Sequence, residues 1–208
     1  MFQIIIKGGW VMVPLIICSL VSLTIIGERL WFFKKIAAAD RAEQIVSSVK
    51  KGQVEEAIRL SKTGAAPLLK VLHAGIENIS NPVKAMEAAA IAEIAVIKRG
   101  LPVLDTIITL SPLLGLLGTI IGMITSFQVM AVGSVGEPHA ITGGVAEALI
   151  ATAAGIIVAV GSLIPYNYFL ARVEQETEVI EYYATRLEVV LGIRPYRSDK
   201  HEDSKKYA

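Results

Sequence analysis

The strongest constraint on this chain is where its charges are missing. No Asp, Glu, Lys or Arg occurs from Thr106 to Gly136, and from Pro138 to Ala171 the only charged residue is Glu147. A helix needs roughly 20 residues to cross about 30 Å of hydrocarbon, and each of these runs is longer than that. An earlier apolar run extends from Gly8 to Gly27, with Pro14 near its start, and closes on Glu28 and Arg29. Three membrane spans are therefore predicted, and a composition of 53% hydrophobic against 19% charged residues agrees. The first run carries Lys7 but is followed by GERLWFFKK instead of a small-residue cleavage site, so it reads as a retained span.

Orientation follows from the lysines and arginines. Residues 28–105 carry twelve of them, residues 131–143 carry none, and seven follow Ala171. This places the N-terminus outside, the long loop in the cytoplasm, the short loop outside and the C-terminus in the cytoplasm. Trp10, and Trp31 with Phe32 and Phe33, fall at the two ends of the first span, where aromatic belts form. A net charge of +1, with no basic stripe interleaved with aromatics, gives no footprint for nucleic acid. Cys18 is the only cysteine and can form no internal disulfide; it reads as a small apolar residue.

The long loop is predicted to be helical. Ala42, Ile45, Val46 and Val49 recur at helical spacing up to a stop at Gly52, and Val54, Ala57 and Ile58 up to a stop at Gly64. A short helix after Pro67 holds Leu68, Leu69, Val71 and Leu72. Asn81 then serves as N-cap with Pro82 at the first helical position. From there an alanine-rich helix is expected to run into the second span, with only Pro102 and Pro112 as kinks. The third span is expected to continue past Arg172 until Gly192 and Pro195. The expected organisation is residues 1–27 as outer N-terminus and first span, 28–105 as cytoplasmic helical region and 106–130 as second span. Residues 131–143 then form an outer loop, 144–171 the third span, 172–194 its cytoplasmic extension and 195–208 a disordered tail.

No catalytic constellation is present: His73, His139 and His201 are far apart, cysteines are unpaired, and the glycines of GLLGTIIG follow no phosphate-loop spacing. The sequence thus points to a non-enzyme without cofactor or metal. What remains is the chemistry of the spans. Lipid is as apolar as leucine, so membrane helices associate through small residues that let backbones approach. The second span carries Ser111, Gly115, Gly118 and Gly122; the third carries Ala151, Gly155 and Ala159, with Ala148 and Thr152 alongside. These ladders can pack the helices of one chain, or they can join copies into a homo-oligomer, the reading the small-residue content favours.

Thr119 and Thr152 sit beside those ladders, roughly 15 Å from Met130 and roughly 12 Å from Gly144, at similar depth. Each can bond its own backbone four residues back; as a pair they can line a narrow polar path. Glu147, the only acid in the third span, is either a first-turn carboxylate favoured by its helix N-terminus or a functional group. No span holds a titratable group near its middle, so ion conduction would need an acid from another subunit.

SPLLGLLGTIIGMITSF (111–127) with GGVAEALIATAAGIIVAVGSLIPYN (143–167) resembles the paired signature of the MotA/TolQ/ExbB proton-channel family, closest to its ExbB and TolQ branch. The resemblance covers nearly the whole chain and implies an all-α membrane protein with three transmembrane helices, two of them extended into the cytoplasm, and a helical cytoplasmic loop. It implies a homo-oligomer, a pentamer where known in the family, around single-span partners of the ExbD or TolR type whose membrane aspartate takes and releases protons. A TonB- or TolA-like transducer would follow. Thr119 and Thr152 would form the polar ring near that aspartate, Glu147 would lie near the path's outer end, and Pro112, Gly115, Gly118, Gly122, Ala151, Gly155 and Ala159 would pack the helices. The expected role is a bacterial inner-membrane motor subunit. The alternative is a non-conducting scaffold or secretion-system anchor that uses the same packing.

Overall fold

The computed structural model describes residues 9–36, 38–132 and 138–192; the side chains of residues 132 and 138–141, His139 among them, and the tail with His201 lie outside this description. The described residues form seven helices and no strand: α1 (Met12–Lys35), α2 (Ala39–Lys50), α3 (Val54–Lys62), α4 (Pro67–Glu77), α5 (Pro82–Ile97), α6 (Leu101–Val132) and α7 (Pro138–Val190). Three stretches are long and apolar enough to cross a membrane, and α1, α6 and α7 carry them. The chain divides into two units, Met1–Lys34 with Lys98–Val173 and Lys35–Ile97 with Glu174–Ala208.

The second unit is packed by large side chains. Ala42, Ile45, Val46 and Val49 are buried on α2, as their spacing predicts, and Leu68, Leu69, Val71, Leu72 and Ile76 are buried on α4. Met86 of α5 and Ile180 and Leu187 of α7 complete this core. Helix α2 ends as expected at Gly52, whose φ of +76° is open to glycine without steric cost. There the Gln53 N–H donates to the Ser48 carbonyl and the Gly52 N–H to that of Val49, each at 2.9 Å, the bond pair that satisfies a helix C-terminus. Gly64 ends α3 differently: its φ is not positive, and a Cβ there would lie 2.3 Å from Leu69 Cδ1, so it is needed for space.

Helix α5 starts at Pro82, with the Ala85 N–H donating to the Asn81 carbonyl at 3.2 Å. It does not run into the second span. It ends at Ile97, and a turn over residues 98–100 intervenes before α6 begins at Leu101. Gly100 has φ +82°, which terminates a right-handed helix, and Pro102 then falls in the first turn of α6, where its missing N–H costs nothing. Pro112 stays inside α6 and Pro165 inside α7. The third long helix starts earlier than the expected span boundary at residue 144: α7 covers 53 residues from Pro138, taking in the second half of the expected outer loop.

In the first unit α1 lies against α6 and α7. Val11, Met12 and Leu15 pack with Leu114 and Ile121 of α6 and Ala154 of α7. The Ser22 and Ser162 hydroxyls meet at 2.6 Å, both buried, and Phe33 stacks on Phe169 at 5.7 Å. Trp10 and Trp31 remain exposed at the two ends of α1.

Candidate functional site: the seam between α6 and α7

Small residues on α6 and α7 bring the two backbones together. A Cβ placed on Gly155 would lie 2.5 Å from the Ser111 carbonyl oxygen, and one on Gly115 would lie 3.0 Å from Thr152 Cα. One on Gly118 would lie 2.5 Å from Ala151 Cβ, and one on Gly122 would lie 2.8 Å from the Gly144 carbonyl oxygen and 2.9 Å from Ala148 Cβ. The helices are antiparallel with Ser111 opposite Gly155, Gly115 opposite Thr152, and Gly122 opposite Ala148. Ala159 is buried on the same row of α7, whereas Pro112 is half-buried beside the α6 row. The ladder thus packs helices of one chain and by itself carries no argument for association between copies.

At about 100° per residue, Leu114 and Ile121 fall some 80° to one side of the glycine row of α6, and α1 covers that side. Pro112 and Thr119 fall about 80° to the other side. On α7, Ala154 lies on the α1 side of the small-residue row and Thr152 about 60° to the opposite side. Both threonines therefore occupy the flank of the seam that α1 leaves open, with Thr119 roughly 6 Å further along α6 than the level of Thr152.

Their hydroxyls differ in partner. Thr152 Oγ1 donates across the seam to the Gly115 carbonyl at 3.0 Å; Thr119 Oγ1 donates to Leu116, three residues back in its own helix, at 2.6 Å. Each hydroxyl proton is engaged by a carbonyl, which leaves oxygen lone pairs free to accept. Neither follows the simple four-residue pattern, and the cross-seam bond depends on Gly115 having no side chain.

Glu147 is half-buried. Because α7 starts at Pro138, Glu147 lies in its third turn, where a helix-end effect fades. Its carboxylate lies instead against the start of α1: a Cβ on Gly9 would stand 1.8 Å from Glu147 Oε1. The pairing of Ala148 with Gly122 puts Glu147 level with Gly122 and Met123, roughly 6 Å beyond Thr119 along α6.

Sequence reading placed Ser111 on the small-residue row but missed Ser126. Ser126 Oγ donates to the Gly122 carbonyl at 2.9 Å beside Gly144, and Ser111 Oγ is buried with no hydrogen-bond partner. Serines recurring on apolar helices were the available signal. Elsewhere, His73 Nδ1 meets Ser61 Oγ at 2.9 Å while its Nε2 faces Glu77 at 3.6 Å, and no group of metal-ligating side chains forms among the described residues.

Residues 42–182, which include the whole seam, match the MotA/TolQ/ExbB proton channel family. The chain belongs to that family. Putative biopolymer transport protein ExbB-like 1 from Synechocystis is 34% identical over 199 residues, covering 88% of this chain and 76% of the relative. ExbB-like 3 from the same organism is 35% identical over 193 residues, covering 88% and 91%. The Tol-Pal system protein TolQ of Pseudomonas aeruginosa is 34% identical over 116 residues, 56% of this chain and 50% of TolQ. Within the MotA/TolQ/ExbB family these similarities lie in the ExbB and TolQ branch, and with three long apolar helices the chain is a multi-pass membrane protein.

Proposed function

We propose that this chain is the channel-forming subunit of a bacterial inner-membrane motor driven by the proton motive force. Several copies, five by family resemblance, surround a single-span partner of the ExbD or TolR type, and the partner's membrane aspartate carries the proton. The N-terminus and the α6–α7 connection face outward, and α2 to α5 with the end of α7 face the cytoplasm. Energy leaves through the partner toward a TonB- or TolA-like transducer for outer-membrane transport or envelope work.

The observation that carries this reading is the open flank with Thr119 and Thr152, both presenting acceptor oxygens. An acceptor suits a protonated carboxylic acid, which has a hydrogen to donate, and offers nothing to the ionised form. A net hydrogen bond of about 1 kcal/mol, gained in one protonation state and lost in the other, biases where the partner rests. Pro112 and the seam residues Gly115, Gly118, Gly122, Ala151, Gly155 and Ala159 hold that flank in shape, and Glu147 fixes the nearby start of α1 at the outer part of the path.

Native mass spectrometry of complexes gently extracted from the membrane tests the architecture. A ring of identical copies enclosing a small single-span companion with a membrane Asp is expected. A chain that retains no such companion under those conditions is a scaffold, and the motor reading fails.

A further inference from the structure

Two cations on the turn before α6 have no counter-charge. The turn over residues 98–100 belongs to the first unit, and a Cβ on Gly100 would lie 3.1 Å from Ile25 Cγ2, so the turn is tucked against α1. Ile25 lies in the last turn of the first apolar run, which ends at Gly27, and beyond the turn the apolar sequence resumes at once with Leu101, Val103 and Leu104. Lys98 and Arg99 therefore stand where hydrocarbon gives way to headgroups. Both are exposed, and neither makes a hydrogen bond or ion pair among the described residues. The only acid of α1, Glu28, is engaged by Arg29 at 2.8 Å, and Asp105 lies about 7–8 Å further along α6 than Gly100. By continuation of the antiparallel pairing, exposed Tyr168 of α7 falls near the level of Gly100, and Trp31 is exposed about 9 Å beyond Ile25. Such amphipathic aromatics belong to a membrane interface.

Adjacent cations at headgroup depth, with no protein acid to meet them, suit the phosphate of a lipid. A guanidinium binds phosphate through two parallel N–H groups, and an ammonium adds a compact charge beside it. We propose that Lys98 and Arg99 form a binding site for the headgroup of an anionic phospholipid, which fastens the break between α5 and α6 at the membrane surface. The site requires only that α1, α6 and α7 span the membrane, and it is independent of the motor reading. A zwitterionic headgroup carries the same phosphate but offsets it with its own cation, so the site discriminates by net headgroup charge.

The full chain in detergent is titrated with phosphatidylglycerol or with phosphatidylcholine of the same acyl chains, and bound lipid is counted by native mass spectrometry. The unmodified protein is expected to prefer phosphatidylglycerol, and Lys98→Gln with Arg99→Gln to lower that preference by about tenfold or more, the effect of losing two charges at the membrane surface. Because both side chains are exposed and unpartnered, the double variant keeps the fold, and an unchanged helical melt verifies it. Lys50→Gln with Lys51→Gln, which removes two exposed cations of the other unit, is expected to leave the preference intact. A preference that survives loss of Lys98 and Arg99, or that falls equally on loss of Lys50 and Lys51, overturns the site. Inorganic phosphate at the concentration of the lipid is expected not to displace phosphatidylglycerol. Displacement would show that the turn takes any phosphate anion, and would overturn its assignment to lipid.

Discussion

The two units of this chain are held together by opposite means. In the unit built from α2 to α5 and the end of α7, the buried residues are large: Ile45, Leu69, Leu72, Ile76, Met86, Ile180 and Leu187. In the unit built from α1, α6 and the rest of α7, the α6–α7 seam is buried glycine, alanine and serine, while Leu113, Leu116, Ile156 and Ile157 are exposed. In water, burial of apolar area stabilises by about 25 cal/mol per Å², so a core gains from size. Against lipid that gain vanishes, and close backbone packing with internal hydrogen bonds takes its place. One chain thus carries the signatures of two solvents.

The largest expected effect tests the water-type core. Leu72→Ala removes a fully buried side chain and is expected to cost about 2–5 kcal/mol, whereas Leu113→Ala, 61% exposed, is expected to leave the same helical melting transition in detergent nearly unmoved. Equal shifts would mean that α6 packs in a way the solvent argument does not allow.

The seam should respond to added volume instead. Gly155→Ala places a methyl against the Ser111 backbone and is expected to cost about 1–3 kcal/mol. Gly161 lies on the same helix with nothing near its missing side chain, and there alanine is expected to stabilise by up to about 1 kcal/mol through helix propensity. Thermal unfolding of the two variants in one detergent decides it; a neutral Gly155→Ala would show that the seam can open without loss.

Much of this contrast was legible in the sequence, because it rests on periodicity and composition. The charge-free runs gave the spans, and the spacing of Ala42, Ile45, Val46 and Val49 gave a face that proved buried. What was not legible depended on register and on backbone choices that residue type leaves open. Gly100 at the end of KRG could have been a tolerated helical glycine, and only its φ of +82° reveals the break before α6. The start of α7 at Pro138 was hidden because HAITGG reads as loop composition, and this displaced Glu147 from the first turn to the third. Which flank the threonines share required knowing that α1 covers Leu114 and Ile121.

A smaller effect separates the two threonines. Thr152→Val keeps the shape but removes a cross-seam hydrogen bond, expected to cost about 0.6 kcal/mol, while Thr119→Val removes only a bond within its own turn and should scarcely move the melt. Both are expected to reduce proton coupling, with Thr152→Ser retaining it. Full coupling in both valine variants would exclude the hydroxyls from the path.

The smallest effect belongs to the surface of the water-type unit, where ion pairs take part. Arg186 holds Glu43 in a forked pair, with Nη2 donating to Oε1 at 2.8 Å, and its guanidinium lies over the rings of Tyr182 and Tyr183 at 5.5 and 5.6 Å. The hydrogen bonds from Arg186 hold the Glu43 carboxyl below the usual carboxylate range. A lowered folded-state value means that the pair's contribution is present above the unfolded carboxylate pKa and is lost as pH falls through the lowered one. Melting midpoints of the unmodified chain and of Glu43→Gln should therefore differ slightly at neutral pH and converge in acid. Because both partners are open to solvent, salt should narrow the difference at neutral pH as well. A difference that survives both acid and high salt would mean that Glu43 contributes through packing against α7, as the seam residues do, and the division between the two units would be less sharp than the burial pattern implies.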